Sequence, residues 1–312
     1  MNQYRIVFLG TPDFAVPSLI ALHQSDHLIP LVITQPDRPK GRGKKLQAPA
    51  VKIKALELGL NILQPKSINT PECVTQIKEC APDLLVVVAF GQLLQKSMLN
   101  ISARGVLNVH PSMLPELRGP APIQWAIING YSKTGIAIMQ LDEGLDTGDI
   151  LRIKQVDIDP EETAGMLHDR IAKIGAQLLV NTINHLSIGK AIIPKPQDHS
   201  QATYARLLKK KDGLIQWQQP TKSILDFIRG MNPWPGAFTF LDNKRIIIFK
   251  AKKIDVSKGL SPGTLLNSYP DELWIATGDG AISILEIQSS SGKRMSIANF
   301  LRGHKIVSGI TC

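Results

Sequence analysis

The chain has 312 residues, 43% hydrophobic and 20% charged, which excludes a disordered protein and supplies a sizeable core, most simply divided between two domains. Three cysteines, Cys73, Cys80 and Cys312, make neither a disulfide framework nor a metal-ligand spacing, and no apolar run approaches the roughly 18 residues of a membrane span. With no signal peptide visible either, the expected setting is the reducing cytoplasm. The formal charge of +10 is unevenly placed: residues 35–49 hold +4, residues 207–312 hold +7, and the remainder is close to neutral. Such a distribution suits a protein that grips a polyanion at two places, although a solubilising surface would also produce it.

In chain order, Arg5 to Leu9 form a short apolar run that ends at Gly10 and is followed by Thr11-Pro12-Asp13 and a stretch of helical spacing. No Gly-x-Gly-x-x-Gly can be read there, so nicotinamide binding is not expected. Residues 28–34 and 83–90 are further strand candidates; the second is continuously apolar, as expected of a strand buried on both faces of a parallel sheet. Residues 51–58 and 71–80 have helical patterns, and residues 35–49 between these elements read as a loop without regular structure. Val106-Leu-Asn-Val109 is a fourth strand candidate, and strand patterns at 136–141 and 150–153 flank a polar loop. A helix is expected over about 162–186. Alternation of strands and helices predicts a doubly wound α/β domain with a mainly parallel, Rossmann-like sheet over residues 1–189. Residues 190–206 read as a linker. Beyond about residue 207 the texture becomes β-rich, with runs at 245–249, 273–276 and 281–285 and a tight Gly278-Asp-Gly280 connection. A small OB-like β-barrel domain over 207–312 is expected.

Polar chemistry gathers between residues 108 and 149. Asn108 and His110 lie at the carboxyl end of a predicted strand, where open α/β sheets place their ligands, and alternation along the strand puts both on one face. An amide donor beside an imidazole suits polarising a carbonyl and moving a proton, but taken alone such a pair is more often two satisfied structural polar groups. Prolines 111, 115, 120 and 122 stiffen the following segment into a wall rather than a lid. Gly144-Leu-Asp-Thr-Gly-Asp149 sets Asp146 between glycines, either as a carboxylate that orients an imidazole or as an Asx-turn. Asp142, Glu143 and Asp149 crowd the same stretch, but with no histidine partners a metal site is not expected.

Five segments, taken together and in this order, resemble the methionyl-tRNA formyltransferase family of folate-dependent formyltransferases: Phe8-Leu-Gly-Thr-Pro-Asp-Phe14, residues 34–45, Asn108-Val-His-Pro-Ser-Met-Leu-Pro115, Arg118-Gly-Pro-Ala-Pro-Ile-Gln124 and residues 144–149. Asn232-Pro-Trp-Pro235 extends the likeness into the second domain. The resemblance implies that Asn108, His110 and Asp146 form the catalytic trio. It implies that Pro111, Ser112, Met113 and Leu114 form the tetrahydrofolate-binding loop, with Val88, Phe90 and Gly91 lining the pterin pocket. The donor it implies is 10-formyltetrahydrofolate, the acceptor methionyl initiator tRNA, and no metal. Two positions depart from the family's pattern: Pro111 stands where a small residue is usual and removes one N–H, and Met113 replaces a leucine.

The basic segments acquire a role in that frame. Arg42, Lys44 and Lys45 offer phosphate contacts at the acceptor end of the RNA, and Lys209, Lys210 and Lys211 offer them in the second domain. A monomer without membrane association is expected. A folate-dependent formyltransferase acting on glycinamide ribonucleotide or an amino sugar would keep the trio but has no use for two basic regions. A non-catalytic RNA-binding protein would have no use for the trio.

Overall fold

The computed structural model describes residues 2–40, 43, 45–255, 261–266, 271–289, 292–304 and 310–311, with side chains at all of these except 40, 310 and 311. In chain order the elements are β1 (Arg5–Gly10), α1 (Val16–His23), β2 (Leu28–Ile33), β3 (Arg38–Lys40), β4 (Lys45–Gln47), α2 (Ala50–Glu57), β5 (Ile62–Leu63), α3 (Pro71–Glu79), β6 (Leu84–Val88), α4 (Lys96–Leu99), β7 (Val106–His110), α5 (Pro122–Ile128), β8 (Lys133–Gln140), β9 (Ile150–Asp157) and α6 (Ala164–Ser187). They continue with α7 (Thr221–Gly230), β10 (Ala237–Leu241), β11 (Lys244–Ile254), β12 (Leu273–Ala276), β13 (Ala281–Ser289), β14 (Met295–Ser296), α8 (Ile297–Gly303) and β15 (Ile310–Thr311). Among the described residues, no helix is long and apolar enough to cross a membrane.

Two compact units emerge, and they are interleaved in sequence. The first comprises Met1–Gly119, Thr134–Val156 and His168–Tyr204; the second comprises Pro120–Lys133, Asp157–Leu167 and Ala205–Cys312. The first is built on a seven-stranded sheet in the order β5-β2-β1-β6-β7-β8-β9. Pairings from β5 through β7 are parallel, and β7 meets β8 antiparallel. All five residues of β6 are buried, as its unbroken Leu-Leu-Val-Val-Val run predicts. Local signals set the helix starts: at α3, Thr70 accepts a hydrogen bond from the Cys73 N–H at 3.4 Å, and Pro71 takes the first turn, where its missing N–H costs nothing. The order places β1 between β2 and β6, so the carboxyl ends of β1 and β6 border the crevice of a doubly wound sheet.

Residues 35–49 depart from the sequence expectation. They contain an antiparallel hairpin in which Arg38 pairs with Gln47, Pro39 with Leu46 and Lys40 with Lys45. The strands are three residues each and rich in basic residues, with Arg38, Pro39, Lys45, Leu46 and Gln47 exposed, so they carry neither the apolar alternation nor the length by which a strand is recognised in sequence.

The second unit carries an antiparallel sheet running β12-β13-β11-β10-β15, with β14 paired to β13. It is the small barrel-like domain expected from the short β runs, and Ala276 pairs with Ala281 across the Gly278-Asp-Gly280 turn. Its core includes Trp217, Ile224, Ile228, Ile246, Ile284 and Phe300. Trp217 is fully buried and donates from Nε1 to Thr239 Oγ1 at 3.1 Å, satisfying its one polar atom.

Candidate active site

The site forms where β7 ends. Asn108 and His110 are its last alternate residues, 8% and 4% exposed. Asn108 sits beside Val87 of β6 on one side and Met139 of β8 on the other, so the chain leaving β6 through Ala89, Phe90 and Gly91 departs next to the end of β7. Among the described residues the Asn108 side-chain amide has no hydrogen-bond partner. An unpaired amide on a residue so little exposed is available to a ligand.

His110 is oriented by the backbone. Its Nε2 lies 3.0 Å from the Leu117 carbonyl oxygen, which can only accept, so Nε2 carries a hydrogen. Nδ1 is left facing Asp146 Oδ2 at 3.6 Å, too long for a direct hydrogen bond. Asp146 Oδ2 in turn accepts from the Gly119 N–H at 2.8 Å. The two residues flanking Arg118 therefore hold the ring and the carboxylate.

Asp146 adopts a left-handed backbone conformation, φ +53°, that few residues other than glycine tolerate. Its loop is pinned on both sides. Thr147 Oγ1 and the Gly144 N–H both donate to Asp142 Oδ1, at 2.6 and 3.0 Å. A Cβ at Gly148 would overlap the Gln140 backbone, and one at Gly144 would overlap Thr147. These close approaches, rather than freedom of the chain, account for the two glycines.

The segment after His110 divides its tasks. Ser112 is fully buried and its hydroxyl donates to the Glu116 carbonyl at 2.6 Å; Leu114 packs with Ala137, Met139 and Ile150. Pro111 and Met113 are half-buried. The Met113 thioether lies where a side chain at Gly135 of β8 would stand, so the long unbranched residue is accommodated by a glycine opposite.

A cleft of about 520 Å³ opens over the carboxyl ends of β1, β2 and β6, with Thr11, Asp13, Arg38, Gln47, Phe90 and Gly91 among its walls. Phe90 and Gly91, both expected at the pterin, line it, whereas Val88 is fully buried within β6. The Phe90 carbonyl accepts from Thr11 Oγ1 at 2.9 Å and from Gln35 Nε2 at 3.3 Å, which ties the ends of β1, β2 and β6 together beneath the cleft. The hairpin contributes Arg38, Pro39 and Gln47 to the same cleft. At its base, the Gln64 amide and then the Lys52 ammonium hold the Asp37 carboxyl below its ordinary pKa.

Of the cations expected to meet RNA, Lys45 is exposed at the start of β4, while Arg42 and Lys44 lie outside the described residues. Lys209, Lys210 and Lys211 are exposed in the second unit, on a turn closed by Asp212. The Asp212 carboxyl accepts from Arg206 Nη1 and from the Lys209 N–H, and these bonds, in that order, lower its pKa. Among the described residues the three lysines enter no ion pair.

Sequence reasoning missed Gln197 and Thr203. Thr203 receives the Leu117 N–H on Oγ1 and the Arg118 N–H on its carbonyl, at 2.8 and 2.9 Å. Both residues stand alone in a segment with no periodicity, so nothing local marks them. Among the described residues, no three His, Cys, Asp or Glu side chains converge as a metal site.

Comparison with known proteins follows this geometry closely. The family described as Formyl transferase matches residues 4–183, and that described as Formyl transferase, C-terminal domain, matches residues 207–305. The chain is 46% identical to the methionyl-tRNA formyltransferase of Syntrophus aciditrophicus over 310 residues, 99% of each chain. It is 47% identical to that of Desulfotalea psychrophila over 305 residues, 98% of this chain and 94% of the relative. Among solved structures, the N-formyltransferase from Helicobacter canadensis in complex with folinic acid and dTDP-3-aminofucose is similar with a TM-score of 0.67 at 17% identity, covering 94% of this chain and 100% of that one. HypX from Aquifex aeolicus in complex with tetrahydrofolic acid is similar with a TM-score of 0.65 at 18% identity, covering 100% of this chain and 51% of that one. At such identities the structural likeness speaks for the fold alone.

Proposed function

The chain belongs to the formyl transferase family, in its methionyl-tRNA formyltransferase branch, and we propose that Asn108, His110 and Asp146 carry out its reaction. The enzyme transfers the formyl group of 10-formyltetrahydrofolate to the free α-amino group of methionyl initiator tRNA, giving N-formylmethionyl-tRNA for translation initiation. The observation that carries the residue assignment is an unengaged Asn108 amide on the same strand end as His110, whose Nδ1 faces Asp146 Oδ2 at 3.6 Å.

The α-amino group, with a reference pKa of about 7.7–8.0, is deprotonated in a minor but ready fraction near neutral pH. Its nitrogen attacks the formyl carbon, a nitrogen–carbon bond forms, and the carbonyl oxygen gains charge. Asn108 and the protonated His110 ring donate to that oxygen; one such donor is worth about 2.7–4 kcal/mol. Because Nε2 is committed to Leu117, the His110 contribution comes through Nδ1, the edge beside Asp146. As the bond to the folate nitrogen breaks, the proton leaving the amine passes to that nitrogen with Asp146 as carrier, directly or through water.

The folate contacts assigned to Pro111, Ser112, Met113 and Leu114 reduce, on exposure, to an apolar surface from Pro111 and Met113 and backbone groups from the others. Phe90 and Gly91 supply a wall beside them, with Val88 supporting from within the sheet. The hairpin, through Lys45 together with Arg42 and Lys44, meets the acceptor end of the RNA, and Lys209, Lys210 and Lys211 meet its phosphates elsewhere. A monomer acting in the cytoplasm, where charged tRNA is made, completes the reading.

The test is direct. The protein is mixed with 10-formyltetrahydrofolate and methionyl initiator or elongator tRNA, and N-formylation is measured for wild type and for Asn108→Ala, His110→Ala and Asp146→Asn. Formylation of the initiator that collapses in the variants supports the reading; near-wild-type turnover in any of them removes that residue from the trio.

A further inference from the structure

Gln197 lies in none of the five short motifs read from the sequence, yet it is 6% exposed and every polar atom of its side chain is engaged. Its Nε2 donates to the Asp146 carbonyl at 2.9 Å and to the Gly148 carbonyl at 2.7 Å. Its Oε1 accepts from Arg118 Nε at 3.1 Å and Arg118 Nη2 at 2.7 Å. The orientation of this amide is forced, because two carbonyls can only accept and a guanidinium can only donate.

Arg118 is 2% exposed, and its third contact is His199 Nδ1 at 3.1 Å. Among the described residues it has no carboxylate partner, so a permanent cation is buried on neutral acceptors. Burying a charge this way is unfavourable for folding by itself. What the cation does hold is position. Residues 117 and 119, on either side of it, bind the His110 ring and the Asp146 carboxylate. Gln197 thus clasps the Asp146 loop with one end of its amide and the His110-orienting loop with the other. The 3.6 Å gap between His110 Nδ1 and Asp146 Oδ2 is set by the separation of those two loops, and no direct bond between the pair fixes it.

We infer that Gln197, with Arg118 as its anchor, is a positioning residue for formyl transfer: it fixes Asp146 against His110 by binding both of their loops at once. This rests on the trio assigned above. The left-handed Asp146 backbone gives the clasp its purpose, since a strained residue persists only where its surroundings over-determine it. Gln197 supplies the bond to the Asp146 carbonyl, and Gly119 the bond to its carboxylate.

Gln197→Glu keeps an acceptor for Arg118 and removes both N–H bonds to the Asp146 loop. Gln197→Met removes them without adding charge, so one variant carries the test if the other fails to fold, as judged by a thermal melt. The expected result in single-turnover formylation is a loss of about 10²-fold, the scale of an ångström's misplacement. The Michaelis constant for 10-formyltetrahydrofolate should stay within about threefold, since Gln197 is buried and its side chain is engaged by Arg118 and the Asp146 loop. In an Asp146→Asn background the same substitutions cost less than about threefold, because a residue acting through Asp146 has nothing left to position. Rates within about threefold of wild type, or a loss of equal size in the Asp146→Asn background, overturn the inference. A fully active Asp146→Asn enzyme overturns instead the trio on which it rests.

Discussion

The proposed reaction centre and the basic hairpin stand at the same end of one mainly parallel sheet and are built on opposite terms. His110 and Asp146 are nearly buried and held by bonds from residues 117, 119 and 197, far away in sequence from one or both. The hairpin is tied at its base by Gln64 and Lys52 to Asp37 and then runs exposed, with Leu46 71% exposed and Lys45 open to solvent. Chemistry on a developing oxyanion needs donors fixed before the reaction begins, so it requires burial and many tethers. Holding a polyanion needs accessible charge at modest precision, and long-range attraction tolerates a mobile side chain.

Substitutions can break this contrast, beginning with the largest effect. Asn108→Ala and His110→Ala each remove a donor and should lower kcat by about 10²–10³-fold, with little change in the binding of 10-formyltetrahydrofolate measured by equilibrium titration. Gly148→Ala tests whether the carboxylate loop is as tightly packed as its neighbours require. Its methyl group would overlap the Gln140 backbone, so a loss of about 1–3 kcal/mol in thermal or denaturant unfolding is expected, with reduced turnover.

The hairpin should respond differently. Arg38→Gln and Lys45→Gln should raise the Michaelis constant for the RNA more than they lower kcat. For every phosphate left without its cation, the slope of log affinity against log salt should become shallower by about 0.7–0.9. A salt-independent Michaelis constant for the RNA would dismiss the hairpin's role. The smallest effect is acidic. The Asp37 carboxyl is held low by Gln64 and Lys52, so its contribution is fully present above the ordinary carboxylate pKa of about 3.9 and is lost as pH falls through the lower folded value. Hydrogen exchange of the hairpin amides should accelerate over that interval in the wild type, and Asp37→Asn should show the faster exchange already at neutral pH.

Much of this was readable from the chain. The apolar run of β6, the proline and threonine that start α3, and the alternation of strand and helix are local signals, and each gave the element that formed. Asn108 and His110 share a strand, so their spacing alone placed them together. The hairpin was not readable, because its six mostly polar residues satisfy no periodicity and its pairing is what orders them.

Sequence by itself thus determined the mainly parallel sheet, the β-rich second unit, the placing of Asn108 and His110, two members of the proposed trio, on one strand and the concentration of positive charge in two places. Only tertiary structure decided which nitrogen of His110 is spent on Leu117, how far Asp146 stands from the other, and that Gln197 and Arg118 join the loops responsible. The physical reason is range. Periodicity and capping act over a few residues, whereas the hydrogen bonds that fix the proposed reaction centre connect positions 7 to 86 residues apart, and no pattern in the intervening chain announces them.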